Sequence, residues 1–188
     1  MHGVHHANMG LRGTNQRDDG AMTTALASTQ LTLGQLIEVT TSMADNVRAG
    51  MYEVHTDTEN RWHVRIHCDD QVDVWLISWT KDQATQLHDH GGSSGAFTVV
   101  SGQLDEVVWS GELDEHARQH HDTVVFGPRY VHDVRNTRDE VAVSVHAYSP
   151  PLSLMNYYDV EDDGTLLKLA SAWTDDPEAP APVLRAVS

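Results

Sequence analysis

QLHDHGGSSG, residues 86–95, is the stretch on which the assignment of fold and site depends. It carries His88 and His90, two positions apart, followed at once by a run rich in glycine and serine. Side chains two apart in a strand point to the same side, so the pair is predicted to face one interior. Neutral imidazole is a good ligand for first-row transition metals. A histidine pair alone is a weak signal, because such pairs are common on protein surfaces, and its meaning depends on the sequence around it.

Short runs with a period of two, rich in β-branched and aromatic residues, surround this stretch from about residue 61 onward. They are WHVRIHC, VDVWLISW, AFTVV, QLDEVVW, DTVVF, VHDVRN, VAVSVHAY and LMNYYDV. Turn signals such as SSG, SG and GP separate them, and no helical pattern intervenes. Parallel strand–helix–strand units are therefore not expected. The pattern predicts an all-β domain, either a double-sheet jelly roll or a small barrel.

One helix and two tails complete the predicted organisation. A capping-type Thr32 precedes apolar residues at helical spacing, and Gly50 is a plausible stop, so one amphipathic helix is expected over residues 32–49. Residues 1–24 lack large apolar residues and periodicity, and they are interpreted as a disordered N-terminal tail. The folded domain is assigned to residues 25–174. The acidic, proline-bearing stretch 175–188 is interpreted as a C-terminal tail.

The overall charge excludes some classes of partner. Twelve basic and 28 acidic side chains give 12 − 28 = −16, which argues against binding to nucleic acid or to an anionic membrane. No apolar run approaches the ~20 residues needed to span a bilayer. The single cysteine, Cys68, fits a reducing compartment, so a cytoplasmic location is expected, with Cys68 as a small buried strand residue. A monomer is the default expectation.

A third histidine follows at a spacing that links it to the first pair. The segment from His88-x-His90 to Gly102, and then Gly127-Pro128 with His132-x-x-x-Asn136, resembles the two motifs of the cupin superfamily. Three positions depart from those motifs, namely Asp82, Arg129, and Ser94 or Gly95 where many cupins have a glutamate ligand. The missing glutamate leaves three neutral ligands, which resembles the cysteine dioxygenase branch of the superfamily.

A second block supports that branch. Residues 144–151, SVHAYSPP, closely resemble the cysteine dioxygenase signature that follows the third metal ligand. Ser144, His146 and Tyr148 occupy alternate positions of a predicted strand, so they form a polar file on one face. A hydroxyl can orient an imidazole, and the imidazole can orient a phenol, because each has a donor and an acceptor to pass along.

The resemblance, which covers about residues 60–160, implies a fold, a cofactor and a reaction. The expected fold is the cupin double-stranded β-helix with a short N-terminal helical segment. One mononuclear Fe(II) would be held by His88, His90 and His132. The substrates would be O2 and a small thiol, with L-cysteine as the first choice, and the product would be cysteine sulfinic acid. Tyr148, oriented by His146 and Ser144, would donate a hydrogen bond to the thiolate, the oxygen or the carboxylate.

Further roles are implied at three other positions. The family's arginine for the substrate carboxylate is assigned to Arg65, with Arg61 as its rival. Gly95 stands where some members have a cysteine crosslinked to the tyrosine, so no such crosslink is expected here. Trp79 is interpreted as core packing more than as a pocket residue.

Two other hypotheses remain open from the sequence. The first keeps the dioxygenase chemistry but changes the substrate to 3-mercaptopropionate or a bulkier thiol. The second is a non-catalytic cupin that binds a metal or a small ligand as a sensor. A placed phenol at Tyr148 has no evident use in a sensor, which is why an enzyme is preferred.

Overall fold

The computed structural model describes residues 30–179 of the 188-residue chain. The predicted tail over residues 1–24 lies outside the described residues. One helix and eleven strands follow in order: α1 (Leu33–Arg48), β1 (His63–Cys68), β2 (Asp73–Trp79), β3 (His88–Asp89), β4 (Ser94–Ser101), β5 (Gln103–Trp109), β6 (Leu113–Gln119), β7 (Thr123–Phe126), β8 (Val131–Arg135), β9 (Ala142–Ser149), β10 (Leu154–Val160) and β11 (Leu166–Trp173).

The strands form two antiparallel sheets. The five-stranded sheet has the order β1-β2-β9-β4-β7, and the six-stranded sheet has the order β11-β10-β3-β8-β5-β6. Successive strands pass repeatedly from one sheet to the other, so the site-bearing strands β3 and β8 lie in one sheet and β9 in the other. This confirms the prediction of an all-β, cupin-type double-stranded β-helix.

The helix α1 covers the outer face of the five-stranded sheet. It begins with a capping box in which Thr32 and Gln35 satisfy each other's free backbone N–H groups, and Gly50 follows its end with a positive φ of 76°. Its buried residues Leu36 and Ala44 pack against apolar side chains of β2, β4 and β9. The helix predicted over residues 32–49 is therefore confirmed, and it gives the sheet a second buried face.

Two covered faces explain why β2 and β9 are buried at every position. In β9, Val145 and Ala147 point toward the helix, whereas Tyr148 belongs to the core between the sheets. In β2, Trp75 and Trp79 likewise belong to the inner core. The alternation read from the sequence thus directs the polar file into the interior.

Two long strands and the environment of Cys68 differ from expectation. Neither β6 nor β11 is among the runs that the sequence pattern predicts as strands. Both are largely exposed, and neither alternates cleanly between apolar and polar residues, because β6 is mostly polar whereas β11 is apolar at neighbouring positions on both of its faces. They are held by backbone pairing with β5 and β10. Cys68 is exposed, not buried, because it ends β1 at the edge of its sheet.

The first five residues of the predicted C-terminal tail contact the folded domain. Tyr157 donates a 2.9 Å hydrogen bond to the carbonyl of Ala179, and Thr174 donates to the carbonyl of Ser153 at 3.1 Å. The boundary at residue 175 stays a prediction, but Pro177, Glu178 and Ala179 form one wall of a cavity. Within residues 30–179, no helix has the length and apolar character needed to cross a membrane.

Candidate metal centre and the cavity beside it

Three histidines meet between the sheets. His88 lies on β3 directly opposite His132 of β8 in the strand register, and His90 follows β3. One ring nitrogen from each lies within 4.8 Å of the others. All three side chains are buried. The structure therefore brings together the three residues that the sequence pattern selected.

Hydrogen bonds orient two of these rings. Nδ1 of His88 lies 2.6 Å from the carbonyl of Gln86, and Nδ1 of His132 lies 2.8 Å from the carboxylate of Glu106. Both partners can only accept, so each Nδ1 carries the proton and each Nε2 keeps its lone pair. A histidine that donates through one nitrogen and presents the other is the usual arrangement of a metal ligand.

Unpartnered nitrogen atoms test whether this group fits a metal. Among the described residues, the buried Nε2 of His132 and Nδ1 of His90 have no hydrogen-bond partner. Buried polar atoms in native proteins nearly always have one, so these atoms call for a bound group. Burial lowers the pKa of His88 and His90 well below the ordinary value, with the neighbouring histidines adding to the effect. Neutral imidazoles with free lone pairs fit a first-row transition metal.

Asp89, between the first two histidines, holds their turn in place. Its carboxylate accepts from the backbone N–H of Gly91 at 2.7 Å, from Nδ2 of Asn156 at 2.6 Å and from the hydroxyl of Tyr158 at 2.6 Å. Asn156 and Tyr158 belong to β10, which pairs with β3. The residue between the ligands thus ties the histidine pair to the neighbouring strand.

Glu106, on β5, is a site residue that the sequence analysis missed. It is fully buried and accepts from His132, from the hydroxyl of Tyr130 at 3.1 Å and from Nε of Arg118 at 2.7 Å. Burial opposes its charge, but the bonds and charges of His132 and Arg118 outweigh burial, and the pKa of Glu106 is lowered. One signal could have found it: Asp105 and Glu106 are adjacent in a strand, so one of them must face inward.

Gly95, one of the two positions at which the cupin glutamate is missing, is tightly packed against an aromatic ring. A Cβ added to Gly95 would lie 2.6 Å from two ring atoms of Phe126. Phe126 in turn stacks on His90, with ring centroids 5.0 Å apart. At Gly95, an aromatic ring therefore occupies the space that a carboxylate side chain would need.

The polar file on β9 is continuous and begins one residue earlier than expected. Nε1 of Trp79 lies 2.9 Å from Oγ of Ser144, which lies 2.8 Å from Nε2 of His146, and Nδ1 of His146 lies 3.4 Å from the hydroxyl of Tyr148. Trp79, interpreted from the sequence as core packing, is fully buried and is also the first donor of this file.

The direction of donation along the file follows from its ends. Indole N–H can only donate, so Ser144 accepts from Trp79. Oγ of Ser144 has no other partner among the described residues than Trp79 and His146, so its own proton goes to Nε2 of His146. Burial, with a smaller effect of His132, lowers the pKa of His146 to about 3. A neutral ring that accepts at Nε2 carries its proton on Nδ1 and donates it to Tyr148.

Tyr148 is therefore left with a free O–H donor at the end of the file. Burial raises the pKa of its phenol well above the ordinary value, and the charges of Glu178 and Asp73 add to this. Its ring centroid lies 4.7 Å from that of His90. A neutral hydroxyl with an uncommitted proton thus lies beside the histidine group.

A cavity of about 290 Å³ adjoins His88. Its walls are Arg61, Ala84, Thr85, Gln86, His88, Met155, Tyr157, Pro177, Glu178 and Ala179. Arg61 is the guanidinium of this cavity: it donates through Nη1 to the carbonyl of Ala84 and through Nε to the carboxylate of Glu178, and it lies over the ring of Trp79 at 5.2 Å.

Arg65 is not among the residues that line this cavity. It donates to the backbone carbonyl of Asp175 at 2.6 Å and to the carboxylate at 2.9 Å, and it lies 4.4 Å over the ring of Trp75. The structure thus joins Arg61, the rival in the sequence analysis, to His88 and gives Arg65 a partner elsewhere. The local pattern could not separate the two, because the choice depends on which strand end meets the cavity.

Cys68 is separated from the tyrosine of the file. It pairs with Asp73, which pairs with Tyr148 on the next strand, so two strand spacings of about 4.8 Å lie between them. The residue directly opposite Tyr148 on its other side is Gly95. This arrangement agrees with the expectation that Tyr148 carries no crosslink to cysteine.

Comparisons with known proteins relate the chain to one family and to several structures. The profile of the family described as cysteine dioxygenase type I matches residues 18–161, well over half of the chain. Protein TT1209 from Thermus thermophilus is 18% identical with a TM-score of 0.47, over 52% of this chain and 90% of that one.

Two further structures are similar at the same level. An RmlC-like cupin protein from Desulfovibrio desulfuricans is 16% identical with a TM-score of 0.47, over 54% of this chain and 93% of that one. An oxalate oxidase solved with the substrate analogue glycolate is 16% identical with a TM-score of 0.46, over 53% and 56%. At such identities and scores none of the three structures bears on the activity of this chain.

Proposed function

This chain belongs to the cysteine dioxygenase type I family, and on that premise we propose that it is an iron(II)-dependent dioxygenase that converts L-cysteine to cysteine sulfinic acid. Both oxygen atoms of O2 enter the product, so one thiol and one O2 give one sulfinic acid and no external reductant is required. In this proposal His88, His90 and His132 hold the metal. The free O–H of Tyr148, beside that group, is the observation that carries the proposal.

The donor set supports one mononuclear Fe(II). Three buried imidazoles, two of which have an unpartnered ring nitrogen, suit a divalent first-row metal, and the close packing at Gly95 leaves no room there for a carboxylate ligand. When bound, iron(II) would stabilise the substrate thiolate and supply the redox chemistry with O2. The protein's own part is to bind, orient and donate hydrogen bonds.

Tyr148 would donate a hydrogen bond to the substrate or to the oxygen that reacts with it. The file from Trp79 through Ser144 and His146 holds the phenol oxygen as an acceptor, so the O–H has nowhere to donate within the described residues except into the site. Because the phenol is buried and its pKa is raised, it stays a neutral donor over the physiological pH range. A preorganised donor of this kind stabilises charge that develops during reaction.

Arg61 would bind the carboxylate of the substrate. Its Nη2 makes no hydrogen bond within the described part of the chain, although Nε and Nη1 are both engaged. A guanidinium that shares a cavity with His88 can hold a carboxylate while the sulfur reaches the metal. This role was first assigned to Arg65, whose contacts with Asp175 and Trp75 support it less well.

Oxygen consumption by the iron-loaded protein with L-cysteine, together with mass detection of the sulfinate, tests the proposal. Wild type should consume one O2 per sulfinate formed, and Tyr148→Phe should lose about 10²–10³-fold in kcat while it binds iron unchanged. Tyr52→Phe is the matched control, because Tyr52 contacts Met43 of the helix, away from the site. No oxygen uptake with any small thiol would rule the function out, and full activity in Tyr148→Phe would remove Tyr148 from it.

A further inference from the structure

The acidic segment 174–179 is bound to the start of the β-structure by two ion pairs and one contact between a carboxylate and a histidine. Asp175 pairs with Arg65 at 2.9 Å, Asp176 pairs with His63 at 3.1 Å, and Glu178 pairs with Arg61. We call residues 174–179 the C-terminal strap. Its acidic composition, which suggested a tail, is thus matched by basic side chains that the sequence places more than 100 positions earlier.

Glu178 differs from the other two acidic residues of the strap in its burial. Its side chain is 5% exposed, against 76% for Asp175. Burying a carboxylate is costly unless it is paired, and Arg61 bonds to only one of its two oxygens. Among the described residues, Oε1 of Glu178 has no hydrogen-bond donor. A buried acceptor that faces a cavity is open to a donor from a ligand.

The cavity therefore presents one positive and one negative group side by side. Among the residues that line it within 30–179, Arg61 is the only arginine or lysine and Glu178 is the only aspartate or glutamate. The two charges cancel, so a ligand with a carboxylate alone meets attraction from Arg61 and repulsion from Glu178. A ligand that carries both a carboxylate and an amino group can satisfy both walls. The cavity volume of about 290 Å³ is large enough to hold a small amino acid.

We propose that Glu178 is a specificity-determining residue that accepts a hydrogen bond from the amino group of the substrate while Arg61 holds the carboxylate. The cavity thereby selects amino thiols such as L-cysteine over thiols whose only charge is a carboxylate, such as 3-mercaptopropionate. This inference rests on the proposed function, because it assumes that the cavity beside His88 receives the thiol. It extends that function by assigning the substrate class to a residue of the strap.

The Glu178→Gln variant of the full iron-loaded chain tests the inference, because it removes the charge and keeps the shape. Binding of L-cysteine and of 3-mercaptopropionate is measured by calorimetry without oxygen, and kcat/KM for both is measured with oxygen. We expect the preference for L-cysteine to fall by about tenfold or more, since 3-mercaptopropionate loses a repulsion and the amino group of L-cysteine loses a negatively charged partner. A preference that came from the metal alone would survive the substitution.

Two further variants separate specificity from support of the strap. Asp175→Asn removes the exposed ion pair with Arg65 and should leave the preference within about twofold, because that pair is solvent-exposed. Glu178→Asp keeps the charge and should retain a preference for L-cysteine, and it serves as the test if Glu178→Gln does not fold. An unchanged preference in Glu178→Gln, equal weakening of both thiols, or a Glu178→Asp variant that binds both thiols equally would overturn the inference.

The two proposals fail in distinguishable ways. Selective binding of L-cysteine without sulfinate formation would overturn the proposed function and leave the role of Glu178 standing. Oxidation of both thiols with the same preference in wild type and in Glu178→Gln would overturn the role of Glu178 and leave the function standing.

Discussion

The buried carboxylate of Glu106 accepts a 2.8 Å hydrogen bond from Nδ1 of His132, one of the three histidines of the candidate metal centre. An anion behind a histidine fixes its tautomer and makes the opposite nitrogen a stronger ligand. Arg118 bonds to the other oxygen of Glu106 and compensates part of its charge. The three histidines are therefore not equivalent, although the sequence alone presents them as three neutral ligands.

Replacement of Glu106 by glutamine should weaken metal binding through His132. The amide keeps the shape but removes the charge that polarises the imidazole and pairs with Arg118, so we expect metal affinity to fall by about 10–100-fold. Competition for Fe(II) against a coloured chelator measures this. Glu115→Gln, at an exposed position of the adjacent strand β6, is the matched control. Equal affinities in the two variants would mean that Glu106 only supports the fold.

Replacement of Trp79 by phenylalanine should disorder the polar file of Ser144, His146 and Tyr148. Without the indole N–H, the hydroxyl of Ser144 is no longer held to donate toward His146, and the loss of a hydrogen bond worth ~1 kcal/mol corresponds to about a fivefold fall in kcat. Steady-state kcat, corrected for the folded fraction, measures this. Trp109→Phe is the control, because Nε1 of Trp109 has no partner among the described residues. An unchanged kcat per folded molecule would assign Trp79 to packing alone.

A methyl group at Gly95 should destabilise the domain. The added Cβ would lie 2.6 Å from the ring of Phe126 and 3.0 Å from the carbonyl of Ala147, and both are held in the core. We expect Gly95→Ala to lower the free energy of unfolding by about 1–3 kcal/mol. Gly92→Ala, where no atom lies within 4 Å, should change it by less than about 0.5 kcal/mol. Urea denaturation of both variants measures the difference, and two equal values would contradict the close packing at Gly95.

Buried His146 should make the stability of the protein depend on pH in the acid range. Burial lowers its pKa from 6.5 to about 3, so the unfolded chain binds a proton between these values that the folded chain does not. The free energy of unfolding is therefore unaffected by the titration of His146 above pH 6.5. It decreases as the pH falls from 6.5 toward 3, by up to about 1.4 kcal/mol per pH unit from this residue.

His146→Gln should remove that part of the slope. Unfolding by denaturant at a series of pH values between 3 and 7, with metal-free protein in both cases, gives the comparison. The difference in slope between wild type and variant is the measured quantity, because other buried histidines contribute to both. Parallel curves would show that His146 is not held neutral by burial.

The local patterns of the sequence were sufficient for several features. The period of two placed Ser144, His146 and Tyr148 on one face, and the spacing of His88 and His90 placed both beside one interior. The helix was bounded correctly by Thr32 and Gly50. Each of these depends on residues within a few positions of one another, where backbone geometry alone sets which side chains share a side.

Strands that lack a clear alternation of apolar and polar residues required the tertiary structure. The strand β6 is exposed at nearly every position, and β11 is mostly exposed, so neither shows the alternation that marks a half-buried strand. They form because a neighbouring strand offers backbone partners, which no local pattern records. Cys68 was wrongly expected to be buried for a related reason, since its position at a sheet edge depends on strand order.

What the sequence determined by itself is the all-β class, the pairing of His88 with His90 and the polar file, because alternation and short spacings are properties of the local backbone. His132 joined the pair through the resemblance to the cupin motifs. The tertiary structure decided which charged groups meet them. Glu106 reaches His132 across 26 positions, and Glu178 reaches Arg61 across 117. Such contacts depend on strand register and on the path of the strap over the sheets, so the same residues carry no local sign of their partners. The choice between Arg61 and Arg65 follows from that long-range geometry.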